Sequence, residues 1–337
     1  MQRGIEVWFP RFFAVPVVLR RLDGLAMALG ALPRLLALKR EGRLDVLDAH
    51  FGYPDGYAAS LLGRWLGVPT TVTLRGTESR HARDPVLRKR LERCFRQAQR
   101  IFSVSDSLRQ LAVSLGAPPQ RTLVVGNGVD LARFHPLNQS EQRRQFGLAV
   151  GAQVLITVGG LVERKGFHRV IELLPALRRR FGDLQYLVVG GPSPEGDWTD
   201  RLRSQVASLG LESCVRFCGA VEPDRLASYL SAADLFVLAT SNEGWANVLL
   251  EAMACGLPVV TTRVGGNAEV VSRDDLGLLV PFGDTSALQQ AIESALLRDW
   301  DRAAIRAYAQ QNTWDARVDV LEQQFCSLHA EHRRVAS

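Results

Sequence analysis

The sequence predicts an α/β fold built from two doubly wound domains, in which parallel strands alternate with helices. Three observations predict it. Short apolar runs, typical of strands buried on both faces of a parallel sheet, alternate with amphipathic helical patterns along most of the chain. The length of 337 residues suits two domains better than one. Apolar residues make up 47% and charged residues 23%, an ordinary globular composition that excludes wholesale disorder.

The first half opens with a proline-broken segment and a helical pattern, and a buried strand follows only then. The predicted strands are 45–50, 69–74, 100–104 and 122–125, and the predicted helices are 56–66, 84–98 and 106–115. A doubly wound domain normally opens with a strand and a glycine turn. Because no such pair precedes the first helical pattern, we expect the first domain to be incomplete.

The second half continues the alternation after a turn-rich segment, 124–136, and a polar stretch. The predicted strands are 153–158, 184–189, 214–218, 235–239, 259–262 and 276–280, and the predicted helices are 166–180, 197–209, 223–232, one from about 247, and 285–298. The tail from residue 300 is helical by pattern. The turn residues and the change in composition predict domains at 1–136 and 137–312 and a last helix at about 313–337.

The stretch 235–262 contains a strand, a glycine loop, a helix, a glycine stop and a second strand. The helix begins near Asn247, and Gly256 followed by Pro258 ends it. Backbone N–H groups and the positive end of the helix dipole meet just before the helix, so we expect an anion to bind there. The residues that supply this site are Gly244, Trp245, Ala246 and Asn247.

Two carboxylates bracket the anion site, Glu243 in the loop and Glu251 on the helix. At about 1.5 Å per residue, the helical part separates them by about 8 Å, so they reach different parts of one ligand. Phosphates repel carboxylates, which favours hydrogen bonds from hydroxyl groups instead. A nucleotide-sugar has a diphosphate between two hydroxyl-bearing rings and fits this layout. For either glutamate alone, a cap or a solvated helix residue is the better interpretation; for the pair in this frame it is not.

The turn in VLITVGGLVERKGF, at 154–167, places Arg164 and Lys165 at the start of a helix. Cations at a helix N-terminus oppose the dipole unless an anion lies between them, so the pair indicates a phosphate site. The alternative is two solvated surface residues. Glycine turns end the neighbouring strands at Gly191 and before Val221, and from the sequence alone ordinary loop chemistry is the better explanation of both.

These motifs resemble a known family. The E-x7-E pattern from Glu243 to Glu251, followed by AMACGLPVVTT and then Gly265, Gly266 and Glu269, resembles the donor-site signature of the retaining family-4 glycosyltransferases with the GT-B fold. VVGNGVDLARFHP at 124–136 resembles the interdomain signature of that family. The resemblance implies two Rossmann-like domains facing a cleft, a first domain that lacks its opening strand and glycine loop, and a last helix that packs back on the first domain.

The resemblance also implies residue roles. Glu243 would position the donor sugar, Glu251 would hold the ribose hydroxyls, and Lys165 would bind phosphate. Gly160 occupies a position where the family carries arginine. Two interpretations stay open: Arg164 replaces the missing positive charge, or the charge is not replaced.

The family places the nucleotide base near Gly191 and Val221, and Trp245 would shape the sugar pocket. In the first domain, His50 and Arg75 each end a strand. A lone histidine at a strand end is more often structural than catalytic. The family often has histidine at the position of Arg75, close to the transferred sugar and the acceptor; arginine binds phosphate or carboxylate but is no base, which indicates either a different acceptor or impaired catalysis.

The implied function is retaining transfer of a sugar from a nucleotide-diphosphate donor to a hydroxyl acceptor, a glycan or a lipid-linked glycan, in polysaccharide biosynthesis. Two alternatives stay open. A nucleotide-sugar epimerase or phosphorylase would share the architecture. A truncated, non-catalytic protein that binds nucleotides would share the motifs.

Composition also bears on the cellular compartment, the cofactor requirement and membrane segments. Five scattered cysteines are not a disulfide framework, so we expect a reducing cytoplasm. No cluster has zinc spacing, and Asp299 and Asp301 follow no strand, so we expect neither a metal nor another cofactor. No membrane span or signal peptide is predicted.

The net charge of +6 is concentrated in two segments of the first half. Basic faces of this kind usually contact only solvent, but with apolar residues on the opposite side they also suit anionic lipid at the inner face of a membrane. No nucleic-acid motif accompanies them. Their basic residues are Arg20, Arg21, Arg34, Lys39, Arg40 and Arg43, then Arg88, Lys89, Arg90, Arg93, Arg96 and Arg100.

Overall fold

The structure, a computed structural model, describes residues 4–13 and 20–336. It divides into two compact units, one comprising Met1–Gly126 with Val318–Ser337 and the other Asn127–Arg317. The chain therefore passes from the first unit to the second at residue 126, inside the turn-rich segment 124–136 and earlier than the predicted boundary at 136.

The first unit contains a sheet of four parallel strands in the order β1-β2-β3-β4. The strands are β1 Leu47–His50, β2 Thr70–Leu74, β3 Arg100–Ser103 and β4 Thr122–Val124. The helices are α1 Asp23–Arg40, α2 Tyr57–Leu66, α3 Glu78–His81, α4 Pro85–Gln97 and α5 Asp106–Ser114. Short turns of other helical types lie at Arg20–Leu22, Gly52–Gly56 and Pro119–Arg121. The predicted alternation is confirmed, although the four-residue helix α3 was not predicted.

Helix α4 illustrates how the sequence determines where a helix begins and which face it buries. Asp84 accepts hydrogen bonds from the backbone N–H groups of Val86 at 2.8 Å and Leu87 at 3.2 Å, and a proline follows it at the first helical position. The apolar face of the helix, with Leu91 and Phe95, is fully buried. That face therefore packs in the core and is not available to enter a lipid surface.

The second unit contains six parallel strands in the order β10-β9-β8-β5-β6-β7. The strands are β5 Gln153–Val158, β6 Leu184–Val189, β7 Val215–Gly219, β8 Leu235–Leu238, β9 Val259–Thr262 and β10 Gly277–Val280. The helices are α6 Gln139–Gln145, α7 Phe167–Phe181, α8 Thr199–Ser208, α9 Pro223–Ala232, α10 Asn247–Ala254, α11 Asn267–Val270, α12 Thr285–Leu297 and α13 Arg302–Gln310, with a 3-10 turn at Glu163–Lys165.

The strand order places a topological switch point between β5 and β8. From β5 the chain builds outward through β6 to β7, then crosses back to add β8 on the other side of β5. Apolar side chains fill both faces of this sheet. One layer includes Phe236 and Leu249, and the other includes Phe167 and Tyr186, all fully buried. Ligands bind at such switch points, outside the carboxyl ends of the strands.

Helix α6 lies in the polar stretch after residue 136, where the sequence pattern predicts no helix. Its Arg143 is buried, and the guanidinium donates to the carboxylate of Asp234 at 2.6 Å and to the carbonyl oxygen of Ala232 at 2.9 Å. Asp234 in turn accepts from the backbone N–H of Val154 at 2.8 Å. An ion pair at the amino end of the sheet therefore anchors this helix, which no apolar periodicity in the sequence predicts.

The last helix, α14, spans Trp314–Ala336, and its residues from Val318 onward belong to the first unit. The ring of Phe325 meets Phe102 edge to face at a centroid distance of 5.9 Å. Arg100 donates to Glu331 at 2.6 Å. No helix among the described residues is both long and apolar enough to cross a membrane.

Candidate functional site

The loops that follow β5 and β8 meet at the switch point. The backbone N–H of Ser241, after β8, donates to the carbonyl oxygen of Arg164, after β5, at 2.9 Å. The last residue of each strand, Val158 or Leu238, is apolar and buried, so the polar side chains at this edge are concentrated in the loops. The sheet order thus brings together two motifs that are about 80 residues apart in the chain.

Glu243 lies at the centre of this contact. Its Oε1 accepts from Lys165 Nζ at 2.7 Å, from Arg164 Nη1 at 3.0 Å and from the Thr240 hydroxyl at 3.1 Å. The side chain is only 9% exposed. Three donors on one oxygen fix the carboxylate in place, and Thr240, itself buried, is a site residue that sequence reasoning missed.

Arg164 connects Glu243 to a second carboxylate. Its Nε and Nη2 donate to the two oxygens of Glu195 at 2.9 and 2.7 Å, and its Nη1 also donates to the carbonyl oxygen of Asn242 at 2.8 Å. Contact with Glu195, followed by that with Glu243, raises the pKa of Arg164. The guanidinium is therefore engaged by protein acceptors on both sides.

Two glycines let the loops approach closely. Gly166 has φ +77°, and a Cβ there would lie 2.0 Å from the carbonyl oxygen of Ala239. Gly265, with φ +48°, would place a Cβ 1.6 Å from the carbonyl oxygen of Glu243. No other residue type fits either position, since both the left-handed backbone and the space exclude a side chain.

The predicted anion site lies at the amino end of α10. The helix begins at Asn247 as predicted, after the loop Gly244–Trp245–Ala246, and it has no side-chain cap on its first turn. The first N–H groups of a helix lack intrahelical partners and attract anions. Asn127 Nδ2 donates to Asn247 Oδ1 at 2.8 Å, a contact that sequence reasoning missed.

Glu251 lies one turn further along α10. Burial raises the pKa of its carboxyl from 4.5 to about 7, although the charges of Arg133 and Lys165 oppose the shift. Within the described part of the chain, no donor makes a hydrogen bond to this carboxylate. A half-buried acceptor of this kind suits ligand hydroxyl groups.

Trp245 packs against the apolar layer that contains α9 and α10. Its indole Nε1 is buried and has no hydrogen-bond partner among residues 4–13 and 20–336. The indole ring is therefore held by core packing.

The loops after β6 and β7 reach the same edge of the sheet. The carbonyl oxygen of Gly191 accepts from the N–H of Leu161 at 2.8 Å, and the N–H of Gly190 donates to Gly219 at 2.8 Å. Val221 is partly buried against the core. Gly191 therefore has a structural role in the loop, and both predicted base-site residues lie at the carboxyl ends of their strands.

In the first unit, the two predicted residues His50 and Arg75 contact each other. Arg75 Nε donates to His50 Nδ1 at 2.9 Å, and His50 Nε2 lies 3.3 Å from a carboxylate oxygen of Asp48. These two contacts, one at each ring nitrogen, fix the orientation of the imidazole. Burial lowers the pKa of Arg75.

A buried glutamate supports these strand ends. Glu78 is fully buried, and its carboxylate accepts from the N–H groups of Gly52 and Gly76, both at 2.8 Å. It joins the loop after β1 to the loop after β2, and sequence reasoning missed it because no spacing rule marks such a bond. Beside it lies a cavity of about 830 Å³ whose lining includes Arg21, Tyr53, Asp55, Arg80 and His81.

Over the described ranges, no group of three or more His, Cys, Asp or Glu side chains is placed to hold a metal ion. The cations at the switch point are the side chains of Lys165 and Arg164.

Comparison with known families matches both halves of the chain. The model described as glycosyl transferases group 1 matches residues 138–312, and that of glycosyltransferase family 4 matches residues 2–133. The chain belongs to the group 1 glycosyltransferases. The first match covers the whole switch-point site, and the second covers the His50–Arg75 pair.

Two curated relatives illustrate what this group 1 glycosyltransferase is similar to. A D-inositol 3-phosphate glycosyltransferase of Geodermatophilus obscurus is 34% identical over 83% of this chain and 66% of its own length. An N-acetyl-alpha-D-glucosaminyl L-malate synthase of Bacillus anthracis is 28% identical over 79% of this chain and 68% of its length. The chain thus spans about two thirds of the length of these relatives.

Solved structures show the same fold. A sucrose-phosphate synthase of Thermosynechococcus elongatus superimposes with a TM-score of 0.78 at 22% identity, covering 95% of this chain and 83% of that protein. HepE of Anabaena, in complex with UDP, gives 0.79 at 22% identity, covering 91% and 84%. The GT-B architecture predicted for this glycosyltransferase is therefore confirmed.

Proposed function

We propose that this glycosyltransferase moves a sugar from a nucleotide-diphosphate donor to a hydroxyl acceptor with retention at the anomeric carbon. One observation carries the proposal: Glu243 and Lys165 meet at 2.7 Å at the switch point, beside the amino end of α10. A carboxylate for hydroxyls, an ammonium for phosphate and free helix amides are the groups that a nucleotide-sugar needs. The UDP bound to the Anabaena neighbour supports a nucleotide donor.

The chemistry requires stabilisation of charge on the leaving diphosphate. Lys165 and the amides from Gly244 to Asn247 would supply it, so the transfer that we propose needs no metal. Glu243 would position the donor sugar and Glu251 the ribose hydroxyls. The departing phosphate would take the acceptor proton, so that no dedicated base is needed.

The acceptor that we propose is a glycan or lipid-linked glycan in polysaccharide biosynthesis. The names of the relatives give acceptors that combine hydroxyl and acid groups, an inositol phosphate and a malate. The cavity after β1 and β2 offers matching groups, with Arg21 and Arg80 for an anion and Asp55 for hydroxyls. Arg75 would also bind phosphate or carboxylate.

We also propose that the protein is cytoplasmic and contacts an anionic membrane surface. Arg88, Lys89 and Arg96 are exposed on one face of α4. Because the apolar face of α4 is buried, the contact would be electrostatic only and would weaken with salt. Sedimentation with phosphatidylserine vesicles at low and high salt tests it, and binding that salt does not weaken would contradict it.

A donor panel tests the function. We expect one of the uridine, guanosine, adenosine or thymidine diphosphate sugars to raise the melting temperature, and we expect transfer to a lipid or glycan acceptor with that donor. Glu243→Gln should abolish transfer, whereas Glu322→Gln, at an exposed position of α14, should not. Epimer or sugar phosphate formed without an acceptor would favour the epimerase or phosphorylase instead. Donor binding without any turnover would indicate a non-catalytic protein.

A further inference from the structure

The loop after β6 closes over the turn after β5. Trp198 N donates to the carbonyl oxygen of Leu161 at 2.7 Å, and a Cβ at Gly160 would lie 2.9 Å from the Cβ of Ser193. The loop therefore leaves no space for a large side chain at 160. The cation that accompanies Lys165 at Glu243 in this turn is Arg164.

Arg164 is oriented by Glu195, which belongs to this loop. The guanidinium is planar with donors in a fixed geometry, so a carboxylate that takes Nε and Nη2 also sets the direction of Nη1. The contacts of Nε and Nη2 with Glu195 at 2.9 and 2.7 Å leave Nη1 at 3.0 Å from Oε1 of Glu243.

Arg164 and Lys165 share one oxygen of Glu243. The ammonium of Lys165 is at the end of a flexible side chain and can turn to a phosphate. The guanidinium of Arg164, in contrast, is held in place by Glu195. If Lys165 turns away, Arg164 still holds Glu243, together with the Thr240 hydroxyl at 3.1 Å.

We propose that Glu195 is a positioning residue that keeps Arg164 directed at Glu243, so that Lys165 serves the diphosphate while Glu243 stays beside the donor sugar. This inference rests on the proposed function. It assigns to the loop after β6 a part in the reaction through Arg164, without contact with the donor.

The test is a double-mutant cycle on the full chain. We expect Glu195→Gln to lower kcat about 10-fold with the donor KM unchanged or lower, because a released Arg164 can turn to the diphosphate while Glu243 loses its support. In an Arg164→Ala background, Glu195→Gln should have no further effect on kcat. Asp197→Asn is the matched control, since the carboxylate of Asp197 contacts Thr199 at the start of α8.

Three results would overturn the inference: an unchanged kcat in Glu195→Gln, an effect that adds fully to that of Arg164→Ala, or an equal loss in Asp197→Asn. Melting temperatures of all variants separate a positioning role from damage to the loop, because a positioning role predicts kcat loss at an unchanged melting temperature. If the wild-type chain neither binds nor turns over any donor, the proposed function fails and this inference falls with it; if the wild type is active, a negative cycle removes this inference alone.

Discussion

The ammonium of Lys165 lies 2.7 Å from Oε1 of Glu243, although the two residues are 78 positions apart in the chain. They meet because β5 and β8 are neighbours in the sheet and their carboxyl ends share one edge. Both side chains are mostly buried, at 15% and 9% exposure. A pair of this kind is sensitive to the loss of either member, since the remaining charge stays poorly solvated.

Lys165→Met tests the phosphate role of this lysine. We expect the affinity for the nucleoside diphosphate to fall about 10- to 100-fold, because a charge-assisted hydrogen bond contributes about 1.5–3 kcal/mol. Isothermal calorimetry with the free nucleoside diphosphate measures it. Lys89→Met, on the exposed face of α4, is the control. Equal affinities of wild type and Lys165→Met would remove the lysine from the site.

Gly265→Ala tests the close approach of two loops. The substitution combines a strained backbone at φ +48° with a Cβ 1.6 Å from the carbonyl oxygen of Glu243, so the loop must move. We expect a loss of stability of more than about 2 kcal/mol together with loss of donor binding.

Gly283→Ala is the matched control for backbone strain. Its φ is +85°, but nothing lies within 4 Å of a Cβ there. It should cost only about 1 kcal/mol and leave donor affinity unchanged. Chemical denaturation and calorimetry compare the two variants. Equal effects of the two substitutions would show that backbone strain alone, and not the close approach to Glu243, is the reason for glycine at position 265.

The sequence predicts the layered fold because its strands are apolar and its helices are bounded by glycine and proline. Helix α10 begins at Asn247 as expected, and the strand Gln153–Val158 has the predicted bounds. Helix α6 shows what a local pattern does not reveal. Helix α6 depends on the ion pair between Arg143 and Asp234, 91 positions apart, which no local pattern reveals.

The site is predictable only as far as motifs mark it. Loop glycines and paired glutamates indicated a ligand, and strand order then brought Lys165 to Glu243. The contacts of Glu195 with Arg164 and of Asn127 with Asn247 depend on loop conformation, so no spacing could predict them. The prediction that Arg164 binds phosphate stays a prediction, and its guanidinium already contacts two carboxylates.

The Arg75→Ala variant tests whether transfer to the acceptor and donor binding depend on residues of different units. Arg75 contacts His50 in the first unit, and the donor groups lie in the second. We therefore expect donor affinity to stay within about twofold while transfer to the acceptor falls about 10-fold or more, since charge-assisted contacts to the acceptor are lost. Arg333→Ala, at an exposed position of α14, is the control. A variant with weakened donor binding but normal transfer would contradict this division.

Glu251→Gln tests the buried carboxyl of α10 through the pH dependence of stability. Burial raises the pKa of Glu251 from 4.5 to about 7, so the folded protein binds the proton more tightly than the unfolded chain between these pH values. Stability is therefore fully retained below about pH 4.5 and declines as the pH rises towards 7. Because each pKa unit corresponds to about 1.36 kcal/mol, the ionised carboxylate lowers the free energy of unfolding by on the order of 3 kcal/mol at pH 8.

Glutamine is neutral at every pH and avoids this cost. We expect Glu251→Gln to unfold a few degrees above wild type at pH 8 and at the same temperature as wild type at pH 4.5. Scanning calorimetry across pH 4.5 to 8 follows the difference, with Glu322→Gln as a control that should show no pH-dependent gain. A difference between Glu251→Gln and wild type that is constant over this range would mean that the carboxyl titrates normally, and that Glu251 is solvated instead of held ready for ligand hydroxyls.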